Sequence, residues 1–254
     1  MTEHPVEFKV RNQKVSGIIS VPDEKNPPVV ILVHGFGVDM SEVGTYPILA
    51  EKLCEQGFMV LRFDFRGHGK SFGSLDKMTI GTEIEDFQTA LDKVCNLEVN
   101  KNKIGVVASS FGAVPVILSG DRRIKSLVLW NPIVRPKEDL AKLFDIHCDK
   151  GWQQYIMQNK FLPYRGKRVN WDFWDGVRLM DMTKETQDIH APTLILYAAE
   201  DQYISEKNTR DLFYAITGQR DKKVFQDMHG LRAEGIREQA INECVNWFTK
   251  WLKI

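Results

Sequence analysis

Ser110 lies in the run Ile104-Gly105-Val106-Val107-Ala108-Ser109-Ser110-Phe111-Gly112-Ala113, where a strand-type apolar segment gives way to a helix-compatible one, Val114 to Ser119. Small-x-Ser-x-Gly is the pattern of a strand that turns sharply into a helix and lifts the central hydroxyl above the sheet. Side chains two positions before and after that serine would strike the crossing backbone. Ala108 and Gly112 meet this steric need, and Ser110 becomes a candidate nucleophile. The motif alone does not decide the matter, because a plain strand-loop-helix connection with Pro115 marking a loop has the same composition.

A serine hydroxyl is inert at neutral pH until a base takes its proton, and the base needs an acid to fix its tautomer. In an open α/β sheet those partners follow the ends of later strands, in the order Ser, Asp or Glu, His. Thr193 to Ala198 is a clean apolar strand followed by Ala199-Glu200-Asp201-Gln202. Lys223 to Gln226 is a shorter strand followed by Asp227-Met228-His229-Gly230. Asp201 and His229 are therefore the expected acid and base. Glu200 is the rival acid, since a one-residue shift would exchange the pair. Asp227 stands too near His229 in sequence to meet its ring from the opposite side. Acyl transfer also builds negative charge on a carbonyl oxygen, which backbone N–H groups can receive. Pro28 to Val33 reads as a buried strand running into His34-Gly35-Phe36-Gly37. That loop can aim the Phe36 N–H at the point reached by the Phe111 N–H; the plainer alternative is an ordinary glycine turn.

These residues, taken together, resemble the α/β-hydrolase superfamily nearly from end to end. His34-Gly35-Phe36-Gly37 is similar to its oxyanion loop, and Phe63-Asp64-Phe65-Arg66-Gly67-His68-Gly69-Lys70-Ser71 to its Asp-x-Arg-Gly-x-Gly-x-Ser segment. The likeness is fullest to bacterial cinnamoyl (feruloyl) esterases and the related monoacylglycerol-lipase and serine-aminopeptidase-like hydrolases. The stretch from Phe63 through Asp86 is its most specific part. Ala108 in place of glycine, Ser109 in place of a bulkier residue and Gly230 after the histidine are departures that remove no reacting atom. The resemblance implies an α/β-hydrolase fold: a mostly parallel central sheet flanked by helices, with a cap insertion after the sixth sheet strand. It implies a triad of Ser110, Asp201 and His229, and leaves the substrate open.

Length and charge agree with one such domain. The chain has 254 residues, 43% of them hydrophobic, enough for a sizeable core. Lys and Arg total 34 and so do Asp and Glu, which gives no electrostatic footprint for nucleic acid or an anionic membrane. Met1-Thr2-Glu3-His4-Pro5 has neither a basic nor an apolar signal region, and no apolar stretch approaches the ~20 residues of a membrane span. A cytoplasmic location is expected. Cys54, Cys95, Cys148 and Cys244 are scattered without a C-x-x-C pair and read as small hydrophobes in a reducing compartment.

The elements alternate as an α/β chain should. Val6 to Val10 and Val15 to Ser20 form an opening hairpin, Thr45 to Gln56 a helix, and Phe58 to Phe63 a strand. Thr82 to Asn96 is a helix, Ser126 to Trp130 a strand, and Glu234 to Leu252 a helix with an apolar stripe. Residues 1–132 and 189–254 are assigned to the hydrolase core. Residues 133–188 are too long for a plain connection and are rich in aromatics. They are assigned to a cap, with Trp152, Tyr155, Tyr164, Trp171 and Trp174 as candidate substrate-binding residues; the alternative is that these rings only give a subdomain its own core.

Asp64 and Arg66 are expected to fix loop structure, and His68 to be a loop residue rather than a second base. His147 and His190 have no helical metal-ligand partner, and no His-Glu-x-x-His or phosphate loop occurs. No metal and no cofactor are expected. The function expected is cleavage of carboxylic esters with a short-to-medium or aromatic acyl group through an acyl-enzyme. A thioesterase, a monoacylglycerol lipase and a small peptidase or amidase remain alternatives on the same triad, and a non-catalytic ligand-binding homologue a more distant one. The expected partner is a small ester, with neither nucleic acid nor membrane; a homodimer stays open.

Overall fold

The computed structural model describes residues 1–144, 154, 158–187 and 189–253. Among them, eight strands form one sheet in the order β1-β2-β4-β3-β5-β6-β9-β10. β1 (Thr2–Val10) and β2 (Gln13–Val21) are an antiparallel hairpin, and β2 pairs antiparallel with β4 (Met59–Phe63). β3 (Val29–Val33), β5 (Ile104–Ser109), β6 (Ile124–Trp130), β9 (Thr193–Ala198) and β10 (Arg220–Phe225) continue the sheet in parallel from β4. The chain moves from β3 outward to β4, then returns to place β5 on the other side of β3. That reversal opens a crevice at the carboxyl ends of β3 and β5, where ligands bind in open α/β sheets.

Burial explains why these segments became central strands. Every residue of β3 is buried, and its side chains alternate between two cores, as the two-residue period of a strand covered on both faces requires. Val29, Ile31 and Val33 pack with α2 (Ile80–Cys95) and α3 (Ala113–Ser119). Val30 and Leu32 pack with α1 (Thr45–Glu55) and the C-terminal helix Ile236–Leu252.

Element ends moved where local chemistry overrode the apolar pattern. α2 begins at Ile80 because Thr79 accepts from the Thr82 N–H while the Thr82 hydroxyl accepts from the Thr79 N–H, a capping box built without the usual acidic residue. The C-terminal helix starts at Ile236, after Gly235 at φ 76°. β10 extends back to Arg220 as a charged edge strand, of the kind that discourages further pairing.

The segment between β6 and β9 carries structure of its own: α4 (Pro136–Leu143), a hairpin of β7 (Phe161–Tyr164) and β8 (Lys167–Asn170), α5 (Trp171–Val177) and α6 (Met182–Glu185). α7 (Glu206–Ala215), absent from the sequence expectations, follows β9 with Ser205 as its cap, and α8 is the helix Ile236–Leu252. Buried Asp139 roots the segment, accepting from the Val134 and Arg135 N–H groups and from Asn208 of α7. No helix among the described residues is long and apolar enough to cross a membrane.

Candidate active site

β5 ends at Ser109, and Ser110 enters a tight turn at φ 51° before α3. A serine at positive φ is uncommon and costs energy, which the packing around it must offset. Two glycines make room. A Cβ on Gly112 would stand 2.5 Å from the His34 carbonyl oxygen, and one on Gly35 would stand 3.1 Å from the Ser110 Cβ. The oxyanion-type loop and the elbow therefore touch backbone to backbone.

The loops after β9 and β10 bring the other two residues to the serine. The Ser110 hydroxyl is 3.0 Å from His229 Nε2, and His229 Nδ1 is 2.7 Å from Asp201 Oδ2. With the Nδ1 proton donated to the carboxylate, Nε2 is left to accept from Ser110, the tautomer that base catalysis requires. The Asp201 carboxyl is fully buried and saturated. Oδ1 accepts from the Tyr203 and Ile204 N–H groups, and Oδ2 also accepts from Asn131 Nδ2. Burial pushes the Asp201 pKa up, but the His229 contact and these N–H donors outweigh it and hold the carboxyl below its ordinary value. Glu200 is exposed and points no carboxyl at the ring; its backbone N–H donates to the Asp227 carbonyl. Asp227 accepts from the Met228 and Ala233 N–H groups and shapes the histidine turn.

The loop after β3 is fixed from below. His34 Nδ1–H donates to the Gly35 carbonyl at 2.8 Å, while Nε2 accepts from the Phe65 N–H. In a trans peptide the carbonyl and the next N–H point in opposite directions. Holding the Gly35 carbonyl therefore aims the Phe36 N–H, which has no acceptor among the described residues. The Phe111 N–H lies in the first turn after the elbow, where backbone donors lack intrahelical partners. Asp64 ties the same region together, accepting from the Met40 and Lys70 N–H groups. His68 proves more than a loop residue: it is buried against His34 and Phe36, and its Nε2 accepts from the Gly37 N–H. Burial and the neighbouring His34 push its pKa down to about 3, and burial also lowers that of His34, so both rings are neutral. Arg66 donates from its backbone N–H and its Nε to buried Asp86.

Of the aromatic candidates, Trp152 and Tyr155 lie outside the described residues, as do His147 and Cys148. Tyr164 is buried with its ring 5.0 Å from Phe36, and Trp174 is buried 6.3 Å from Phe144. Trp171 is half-buried at the edge of the same core, while His190 is exposed. Phe173 packs 5.4 Å from Phe36 and 5.1 Å from Phe111. Both residues with candidate oxyanion N–H groups thus send their side chains into an aromatic cluster shared with the insertion. Asn131 and Tyr203, whose ring lies edge-on to His229 at 5.2 Å, are not singled out by the sequence. A hollow of about 600 Å³ sits at the opposite, N-terminal end of β6 and β9, lined by Val116, Ile117, Ile124, Leu127 and Pro192. It is remote from Ser110, so the assignment of the site rests on its hydrogen bonds.

Comparison with known proteins bears on the fold and the family. The family described as "Serine aminopeptidase, S33" matches residues 24–172, over half of the chain. A monoacylglycerol lipase of Mycolicibacterium smegmatis is 29% identical over 124 residues, 47% of this chain and 43% of that protein. An uncharacterized 31.7 kDa protein of Escherichia coli is 29% identical over 104 residues, 40% of this chain and 36% of that one. The matched stretches thus span less than half of the curated relatives. Among solved structures, Est1E of Butyrivibrio proteoclasticus with ferulic acid bound superposes with a TM-score of 0.86 at 18% identity, covering 98% of this chain and 100% of that one. The Pyrococcus furiosus esterase Pf2001 does so at 0.77 and 20%, covering 99% and 93%. Such identities speak for the fold. The family match, on a chain with this sheet and this elbow, makes it a member of the serine aminopeptidase (S33) family, with the α/β-hydrolase fold.

Proposed function

We propose that the chain is a serine hydrolase that cleaves carboxylic esters through an acyl-enzyme. What carries this reading is the unbroken chain of hydrogen bonds from Asp201 through His229 to Ser110, with Ser110 at positive φ on the elbow. His229 takes the hydroxyl proton as Ser110 attacks the carbonyl carbon. The oxyanion meets the Phe36 and Phe111 N–H groups, and His229 returns the proton to the leaving alcohol. Water, deprotonated by the same ring, then releases the acid and restores Ser110. Asp201 stays ionised throughout and steadies the imidazolium.

Residues 133–188 act as a cap in this reading. The rings of Tyr164 and Phe173 against Phe36 and Phe111, with Trp174 against Phe144, favour a short-to-medium or aromatic acyl group. The family description favours a second substrate class, small peptide amides with a free N-terminus. A fluorophosphonate probe read by intact mass tests the nucleophile: one adduct on wild type, none on Ser110→Ala. A panel of esters graded by acyl length and aromaticity, set against aminoacyl amides, tests the substrate. A folded protein that takes no adduct overturns the hydrolase reading, and turnover of aminoacyl amides alone moves the proposal to the second class.

A further inference from the structure

Glu42, Val43 and Gly44 have successive φ values of 44°, 55° and 85°. Val43 is β-branched and 52% exposed, so no burial of its own side chain holds it in a region that disfavours it. Strain of this kind persists where the surroundings over-determine it. What the turn accomplishes is to send the Glu42 carboxyl, on a residue only 7% exposed, back under the loop after β3. There Oε2 accepts from the Gly35 N–H at 2.8 Å. A Cβ on Gly35 would stand 3.1 Å from Ser110 Cβ and 3.7 Å from Glu42 Oε2. The carboxylate and the serine thus flank the same glycine, one residue before the Phe36 N–H.

A bare carboxylate here would anchor the loop yet oppose the reaction, because negative charge develops on the oxyanion nearby. Its other oxygen, Oε1, faces Arg232 Nη2 at 3.4 Å. Arg232 comes from the loop that carries His229, immediately after Gly230 at φ 101° and Leu231 at φ 52°. Two strained turns, one beneath the oxyanion donors and one beyond the base, therefore meet in one ion pair.

We propose that Glu42 and Arg232 are positioning residues for the hydrolytic site: Glu42 anchors the oxyanion loop through the Gly35 N–H, and Arg232 neutralises the charge that this anchor brings. The inference rests on the hydrolase reading. It has a signature that a packing role lacks, because removing the cation alone does more harm than removing both charges. Glu42→Gln keeps an acceptor for Gly35 and loses the charge; Arg232→Gln leaves the charge unpaired.

The test measures kcat and KM for p-nitrophenyl acetate on protein whose active fraction is set by fluorophosphonate titration. Arg232→Gln is expected to lower kcat roughly tenfold or more with KM within about threefold, the pattern of a lost transition-state interaction. Arg232→Lys retains most of kcat. The double variant Glu42→Gln with Arg232→Gln recovers at least about threefold over Arg232→Gln alone, a coupling that a double-mutant cycle isolates. Arg232 has 39% of its side chain exposed, so its loss is expected to leave the fold intact. Should Arg232→Gln still not fold, Glu42→Ala against Glu42→Gln decides: a deficit in the alanine variant that glutamine restores supports the anchor, and equal kcat overturns it. A double variant no better than Arg232→Gln, or an Arg232→Gln like wild type, also overturns the inference while leaving an active wild type as a hydrolase. A wild type that neither labels nor turns over removes the hydrolase reading and this inference with it.

Discussion

The floor beneath Ser110 and the wall above it are held by different forces. Below, residues 34–42 and 64–70 are fixed by hydrogen bonds to buried polar side chains: His34, Glu42, Asp64 and His68 each accept from a backbone N–H. Above, Tyr164, Phe173 and Trp174 meet Phe36, Phe111 and Phe144 through ring contacts alone. Hydrogen bonds are directional and costly to leave unmade in a low-dielectric interior. Ring contacts fill space and tolerate exchange of shape. In the proposed reaction the floor would aim N–H groups at a developing charge, and the wall would choose what enters.

The contrast breaks most sharply at the residues proposed to react. Ser110→Ala and His229→Ala are each expected to lower kcat by about four orders of magnitude or more, and the double variant by little beyond either alone, because the two act as a unit. Asp201→Asn should lose roughly 10³–10⁴-fold through the wrong imidazole tautomer. Melting temperatures should stay near wild type for the Ser110 and His229 variants. A kcat for Asp201→Asn near wild type, beside a dead Glu200→Gln, would reassign the acid.

Asp64→Asn probes the floor without touching the proposed triad. The carboxylate accepts from Met40 and Lys70 on separate oxygens, so the new amide must turn N–H groups toward an N–H. A buried mismatch of this kind costs about 1–3 kcal/mol, read as a fall in the urea midpoint at constant slope. A parallel drop in kcat is expected, because Met40 lies on the loop that carries Phe36. Lost stability with unchanged kcat would mean that the floor bears weight without aiming anything.

How much of this was legible in the sequence follows the same division. The buried strands, the elbow and the order Ser110, Asp201, His229 could be read, since each depends on local apolar runs and small residues at fixed offsets. Asn131 and Glu42 could not, because their roles require positive φ (45° and 44°) and partners 70 and 7 residues away. His68 was visible as a residue but not as an acceptor, since burial is a property of the assembled loops. The insertion announced itself by length and aromatic content. Its hairpin and short helices lack the periodicity that marks longer elements, and α7 is a polar helix whose buried face includes Asn208 and Thr209.

The two buried histidines give the floor a dependence on pH that the wall lacks. His68 is pushed down to about 3, and His34 is lowered as well, both chiefly by burial. The unfolded chain takes up a proton at each near pH ~6.5, whereas the native rings stay neutral. For His68 the unfolded state binds more protons between those values, so its contribution to stability is fully present above about pH 6.5 and is lost as pH falls toward 3; His34 contributes with the same sign. The slope contributed is up to about 1.4 kcal/mol per pH unit for each ring. Urea unfolding across this range should be shallower in pH for His68→Asn, which keeps an acceptor for Gly37. An unchanged slope would place the acid sensitivity elsewhere.

The smallest effect sharpens the comparison from the other side. Excising residues 133–188 is too blunt, because the Ile133 N–H donates to the Ser110 carbonyl and Asp139 joins the segment to α7. Phe173→Leu instead removes one ring that touches both Phe36 and Phe111 while keeping an apolar filler. Lost ring contacts of about 0.5–1.5 kcal/mol each, partly offset by the leucine, should lower stability by roughly 1–2 kcal/mol. Turnover of p-nitrophenyl acetate should stay within about threefold of wild type, since the acetyl group needs little from the wall. If residues 133–188 cap the site as proposed, the ratio of kcat/KM for cinnamoyl over acetyl esters should shift severalfold, because the ring that was removed packs on both Phe36 and Phe111 and shapes the wall. An equal fall for every ester would mean that Phe173 serves the oxyanion loop, and the wall would then belong to the floor.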